Sequence, residues 1–186
     1  MSSEMLYTAL TGAIAPEKVF SPSSEEYLKS NRSYFTAFEN EIKPSYIAKP
    51  SSVQEVTHLV RALRPLLASG EHHVAVRGGG HTPFAGSANI EKGVTVDLRT
   101  LKGISLNEDK SVVEIAAGET WTAVYTELEK HGLTTAGGRV GRVGVSGFLL
   151  GCKLPFLCHS SETGFLPCAK VASLCIRPAR ASPLIL

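Results

Sequence analysis

VAVRGGGHTPFAGSANI, residues Val74–Ile90, decides how the rest of this chain is read. An apolar strand, His73–Arg77, runs without a spacer into Gly78-Gly79-Gly80-His81-Thr82. Three successive glycines leave main-chain N–H groups unshielded and permit positive φ angles. Such a loop can curl into a concave nest of donors around a diphosphate, with Arg77 at its edge adding positive charge. A tight surface turn is the plainer alternative. It accounts for one or two glycines, but less well for a third that is followed by His, Thr and Pro directly after a buried strand.

The residues before the loop supply a helix and two strands. Tyr46–Ala48 is a brief extended apolar piece ended by Pro50. Ser51 or Ser52 is a good N-cap, and Glu55 is placed to close a capping box onto Ser52. Val53, Val56, Leu59, Val60, Leu63 and Leu67 then recur at three- and four-residue steps, which predicts a core-facing helix over Val53–Ala68, or one bent or stopped near Pro65, with Gly70 as terminator. Further upstream, Tyr27, Leu28, Tyr34, Phe35 and Phe38 suggest one short amphipathic helix over Glu25–Phe38. The mildly apolar segment Met5–Ala15 lacks a basic n-region, so it reads as a helix or coil packing on the domain rather than a secretory signal.

Beyond the loop, Val94–Leu98 alternates as a strand should, and Asp97 at its end reads as a turn cap or, alternatively, as a residue supporting a bound group. Ile104–Leu106 and Val112–Ala116 are two more strands joined by the polar turn Asn107–Lys110. A helix follows over Thr120–His131 with Trp121, Val124, Tyr125 and Leu128 on its buried face, and Leu133–Ala136 is again extended. Then comes a second glycine-rich run, Gly138-Arg139-Val140-Gly141-Arg142-Val143-Gly144-Val145-Ser146-Gly147. Glycine at every third position suits neither a stable helix nor an ordinary strand. A flexible linker would be more polar. The interleaved valines therefore favour a packed segment whose backbone passes close to a ligand.

Composition removes several classes of function. The 186 residues carry a formal net charge of +2 with the basic residues scattered, so no nucleic-acid face stands out. No apolar stretch reaches the roughly 18–20 residues that span a bilayer, and cytoplasmic location is favoured. All four cysteines, Cys152, Cys158, Cys168 and Cys175, fall in the last fifth of the chain at spacings that suit neither a zinc knuckle nor an advertised disulfide framework. His72-His73 reads as a strand entry, since adjacent strand residues point to opposite faces. Neither glycine cluster has the G-x-G-x-x-G spacing of a dinucleotide fold, and there is no G-x-x-x-x-G-K-[ST], which disfavours a nucleotide enzyme of another fold.

Taken together, KPSSVQEVTHLVRAL (Lys49–Leu63), VAVRGGGHTPFAGSANI (Val74–Ile90), GVTVDLRTLKGIS (Gly93–Ser105), VVEIAAGETWTAVYTEL (Val112–Leu128) and GGRVGRVGVSGFLLG (Gly137–Gly151) resemble the FAD-linked oxidases with the vanillyl-alcohol-oxidase (PCMH) type of flavin domain, especially the berberine-bridge-enzyme-like fungal members. The resemblance runs from about Tyr34 to Gly151. It implies an α+β fold of two α/β subdomains with the FAD pyrophosphate between them. It implies that Arg77, Gly78, Gly79, Gly80, His81 and Thr82, with Gly86 in the same loop, hold FAD, and that His81 joins the 8α-methyl of the flavin covalently. Gly138, Val143, Gly144, Ser146 and Gly147 carry over as contacts from the second glycine region. Some relatives use a cysteine as a second tether. That position aligns near Val140, so no second bond is expected. The implied activity is oxidation of an alcohol, sugar or secondary metabolite by hydride transfer to FAD.

The domain reading that follows is an approach segment over 1–44, an FAD-binding domain over 45–151 with its second subdomain incomplete, and an atypical tail over 152–186. Relatives continue G-G-G where this chain has Gly151-Cys152-Lys153. Thr163-Gly164-Phe165 faintly resembles the next family segment but lacks the Asp that follows it. The substrate domain and its acid/base residues are not matched, so no catalytic residue is assigned. A truncated product that binds FAD without turnover, or serves as an interaction fragment, is the alternative expectation.

Overall fold

Two separate four-stranded sheets organise the chain, one in each of two compact units, Met1–Leu101 and Lys102–Leu186. The structure is a computed structural model that describes residues 2–151 and 174–178. In the first unit the elements are α1 (Ser2–Ala13), β1 (Val19–Phe20), α2 (Glu25–Asn31), α3 (Ala37–Glu41), β2 (Tyr46–Ala48), α4 (Val53–Ala68), β3 (Val74–Arg77) and β4 (Val94–Asp97). The strand order is β1-β2-β4-β3, with β2, β4 and β3 parallel and β1 antiparallel at one edge. β4 is buried at every position, as befits a strand flanked on both sides.

α4 starts and stops close to where its sequence says it should. The Ser52 hydroxyl accepts the Glu55 N–H at 3.2 Å. The returning bond differs from the predicted box: the Glu55 carboxylate accepts the N–H of Ser51, at 2.7 Å, rather than that of Ser52. The helix carries Pro65 inside it, at the cost of one main-chain hydrogen bond, and Gly70 turns the chain away at φ 76°. Leu59 and Leu63 are buried against Leu6 and Leu10 of α1, against Ile14 just beyond it, and against Ala48, Val94 and Val96 of the sheet. The N-terminal segment is thus a helix packed on the unit, and residues before 44 are part of its core.

Two expectations need correction. Val53 and Val60 of α4 are 72% and 60% exposed instead of buried. The apolar positions wrap further round the helix than α1 and the sheet can cover, so Val56, Val60 and Leu67 line an open groove of about 260 Å³ with Val74, Val76 and Leu98. The single helix over Glu25–Phe38 is two helices, because Ser24 and Thr36 each cap a new start. Tyr27 and Tyr34 point inward, whereas Leu28, Phe35 and Phe38 are exposed.

The second unit holds β5 (Ile104–Leu106), β6 (Val112–Ile115), α5 (Trp121–Glu129), β7 (Leu133–Thr135), α6 (Val145–Leu150) and β8 (Leu174–Pro178). Its sheet is antiparallel in the order β5-β6-β8-β7. β8 therefore gives the tail a strand that no sequence period announced. The rest of the tail, with Cys152, Cys158 and Cys168, lies outside the described residues.

Trp121 is the centre of this unit. It is fully buried with Val113, Val124, Leu128 and Val145, and its ring meets Phe148 edge-on at 5.3 Å. The second glycine run crosses directly over it. A β carbon on Gly137 would overlap the indole, one on Gly138 would stand 2.6 Å from Trp121 Cδ1, and one on Gly141 would overlap the Thr122 hydroxyl. The same run caps the start of α5, whose N-cap Thr120 makes no side-chain capping bond. Instead Trp121 N–H donates to Val143 O at 3.1 Å and Thr122 N–H to Gly141 O at 2.8 Å, filling two of the orphan donors of a helix start. The protein's own ring and hydroxyl thus explain Gly137, Gly138 and Gly141, where the sequence favoured a ligand. Gly147 has nothing within 4 Å of its would-be β carbon.

Two alanine substitutions separate these roles. Gly137→Ala is expected to destabilise the cofactor-free protein by about 1–3 kcal/mol through overpacking. Gly147→Ala, inside α6, should be neutral or stabilising by up to about 1 kcal/mol. Urea denaturation of both variants without FAD checks the contrast.

Candidate cofactor site

The glycine loop leaves the sheet at Arg77, the last residue of β3, paired in register with Asp97 of β4. Of Gly78–Gly80, Gly80 takes the left-handed conformation, at φ 67°. It must be glycine for a second reason, since a β carbon there would stand 2.7 Å from Arg77 Nε and 3.0 Å from the Tyr34 ring. Among the described residues, the amides of Gly79, Gly80, His81 and Thr82 donate to no other group of the protein. Gly79, His81 and Thr82 are half-buried and Gly80 is buried. The His81 imidazole is stacked on Phe35 with ring centroids 4.1 Å apart and planes 17° apart.

Arg77 does not stand at the edge of the loop with its charge outward. Its side chain is fully buried beneath it. Nη1 donates to Ser30 O at 2.8 Å and Nη2 to Ser33 O at 2.7 Å. Nε faces no acceptor among the described residues. The guanidinium lies instead 3.5 Å from the centroid of the Tyr34 ring, a cation–π contact in a desolvated place. Burial, and then the neighbouring Arg99, push the Arg77 guanidinium down to about 10, which leaves it cationic at neutral pH. The reason for the inward turn is local: two helix-end carbonyls and an aromatic face wait under the loop, so a long planar cation fits there better than in water.

Asp97 completes this brace. It accepts from Ser30 Oγ at 2.9 Å and from Arg99 Nη2 at 2.6 Å. It also caps the short turn after β4 by accepting Arg99 N–H at 3.2 Å, as the first of its two sequence readings had it. Burial would raise its pKa, but the hydrogen bonds and charge of Arg99, with Arg77 nearby, outweigh that and hold the carboxyl below the ordinary range. On the far side of the loop Glu39, fully buried, accepts the N–H groups of Gly86 at 3.1 Å and Ala88 at 2.9 Å. Tyr34 Oη donates to Ala88 O at 3.0 Å. Asn89 Nδ2 donates to Asn31 Oδ1 at 3.0 Å and Glu39 O at 2.9 Å. The amide of Gly86 is therefore spent inward, and this residue offers a ligand only the open space above its α carbon, at φ 78°.

Ser30, Ser33, Glu39 and Asn89 carry the loop, and sequence reasoning passed over all four. They stand singly among polar neighbours, with no spacing that would mark them. In the second unit, Gly138 is buried with its carbonyl accepting from Tyr125 Oη at 3.0 Å. Val143 O is spent on Trp121, Gly144 is a buried N-cap of α6, Ser146 is buried and Gly147 is exposed. Val140 is exposed. Among the described residues there is no group of three His, Cys, Asp or Glu placed to hold a metal, and no helix is long and apolar enough to cross a membrane.

The loop's chemistry fits FAD: unspent amides for a diphosphate, and an accessible imidazole beside them. Known proteins point to the same cofactor. The chain is 33% identical to a FAD-dependent monooxygenase of Cercospora beticola over 83% of its own length and 30% of the relative's. It is 32% identical to a FAD-dependent monooxygenase of Emericella nidulans over 91% of its length and 34% of that protein's. It therefore spans about a third of the relatives it matches. Among solved structures, the berberine-bridge-enzyme-like protein 1 of Physcomitrella patens superposes with a TM-score of 0.63 at 23% identity, over 78% of this chain and 30% of that one. The pollen protein Phl p 4.0202, a glucose dehydrogenase, does so with a TM-score of 0.66 at 20% identity, over 78% and 31%. These two share the fold. The FAD binding domain model covers residues 44–164, past Gly151 where the resemblance was read to end, and the chain belongs to that family.

Proposed function

We propose that this chain holds FAD in a flavin-linked oxidation of an alcohol, sugar or secondary metabolite, with His81 as the tether. The observation that carries this reading is the cluster of unspent amides at Gly79–Thr82 next to an imidazole whose nitrogens make no hydrogen bond within the described residues. Backbone donors in such a loop suit the diphosphate of a dinucleotide better than a turn facing water needs. Bound FAD supplies the redox chemistry, its isoalloxazine accepting a hydride, while the protein supplies binding and orientation.

Each residue then has a stated part. Gly78, Gly79, Gly80, His81 and Thr82 present main-chain N–H groups. Gly80 lets the backbone close over the Arg77 guanidinium, and Arg77 supports the loop from below. Gly86 leaves room. In the second unit Gly138, Val143, Gly144, Ser146 and Gly147 are proposed as further contacts on the family resemblance. Of these, Gly147 has open space beside its α carbon, whereas Gly138 is closed off by Trp121. The monooxygenase relatives carry FAD in their names, which supports the cofactor more directly than any particular substrate.

The tether is tested by spectroscopy. Purified protein is expected to be yellow, with flavin fluorescence that stays on the polypeptide after acid precipitation, and His81→Ala should release all of it into the supernatant. Flavin retained by that variant rejects His81 as the point of attachment.

The brace under the loop makes a second prediction. Asp97 has its folded pKa lowered, so its stabilisation is complete above the unfolded value near 3.9 and is lost as pH falls through the lower folded value. Thermal stability is expected to drop below about pH 4, and FAD retention with it. Asp97→Asn should cost about 3 kcal/mol at neutral pH, because the ion pair of the buried carboxylate with Arg99 is broken and a negative charge near Arg77 is lost, and should flatten the acid limb. Melting curves from pH 3 to pH 7 read both effects.

A further inference from the structure

We infer that Phe35 is the positioning residue for His81: its ring fixes the imidazole in the orientation from which the flavin is attached. The inference rests on the reading of His81 as the tether and adds to it what aims that side chain.

Consecutive residues Tyr34 and Phe35 take opposite sides of the loop. Tyr34 is buried under it, with Arg77 against its ring and its hydroxyl on Ala88 O. Phe35 is 63% exposed on the outer side and lies flat on the His81 imidazole at 4.1 Å. Between them, Phe35 N–H donates to Gly80 O at 3.0 Å, the carbonyl just before His81. The backbone of Phe35 is thus bonded to the loop next to the imidazole that its ring contacts. A large apolar ring left mostly in water is not there for burial; among the described residues its aromatic partner is His81.

His81 has no hydrogen bond from either ring nitrogen to hold it within the described residues, so the stack is what restricts its two side-chain torsions. That restriction matters for attachment, where a ring nitrogen has to meet a methyl carbon along one direction. The N–C bond forms as the 8α-methyl gives up one hydrogen and the imidazole gives up its N–H. Both hydrogens end on the isoalloxazine together with the electron pair, and dioxygen then takes them away as hydrogen peroxide.

The experiment compares Phe35→Ala, Phe35→Leu and Phe35→Tyr with the unaltered 186-residue chain, mixing cofactor-free protein with FAD in air and following acid-stable flavin over time. The main-chain bond to Gly80 survives every substitution. Phe35→Ala and Phe35→Leu are expected to attach flavin about five-fold more slowly, the order of effect when one side chain's rotamer freedom is returned. Phe35→Tyr should restore the rate, and melting temperature and reversible FAD affinity should stay within error. The His81 imidazole protons, shifted upfield by the ring current of Phe35, should move to ordinary positions in the alanine and leucine variants only. Attachment by Phe35→Leu at the unaltered rate overturns the inference while leaving the tether intact. Absence of acid-stable flavin on the unaltered chain overturns the tether, and this role with it.

Discussion

A buried cation holds the first unit together at the point where it matters for a ligand. Arg77 leaves β3 and turns under the glycine loop, into a space walled by Tyr34, the carbonyls of Ser30 and Ser33, and Asp97. A charge taken out of water is costly unless it is met by hydrogen bonds and opposite or π charge. Meeting it draws four parts of the chain to one place: the end of α2, the Tyr34 turn, the end of β4 and the loop itself. Gly80 has no side chain because that cation occupies the space. Above it, the amides of Gly79–Thr82 have no acceptor among the described residues.

The second unit solves a different problem with the same residue type. Its glycines let a stretch of backbone lie against a buried indole and cap the start of a helix that lacks a side-chain cap. Glycine-rich sequence in this family therefore has two physical meanings within one chain. Near Arg77 it leaves amides open on one side. Near Trp121 it mainly removes side-chain bulk from a packed core, at Gly137, Gly138 and Gly141, while Gly147 keeps open space.

Much of the fold could be read from spacing alone. α4 matched because Ser52, the three- and four-residue apolar steps and Gly70 all agree, and such agreement between local signals is what defines an element. β3, β4, β5 and β6 matched because β-branched residues alternate between turn residues. What failed had a common cause. The Glu25–Phe38 pattern counted aromatics without knowing that Thr36 restarts the helix, and Val53 and Val60 were assigned to a core whose width only the tertiary structure sets. The loop itself was legible, since three glycines between a strand and a histidine are an unusual local string. Its support was not. Ser30, Ser33, Glu39 and Asn89 act over long separations in sequence, and Arg77 was placed outside because a charged residue beside a phosphate loop is the simpler guess when the carbonyls beneath are unseen.

The place of β8 in the second sheet has a consequence for how this unit assembles. A strand from residues 174–178 lies between β6 and β7, so the middle of the sheet is made by a segment that follows both of its neighbours in the sequence. Until it arrives, β6 and β7 each present a row of unpaired main-chain groups. Open edges of that sort are templates for pairing with other molecules, and a long-range pairing that closes late is intrinsically slow. The nascent unit thus passes through a window in which self-association competes with closure, and shielding by a chaperone would matter most there.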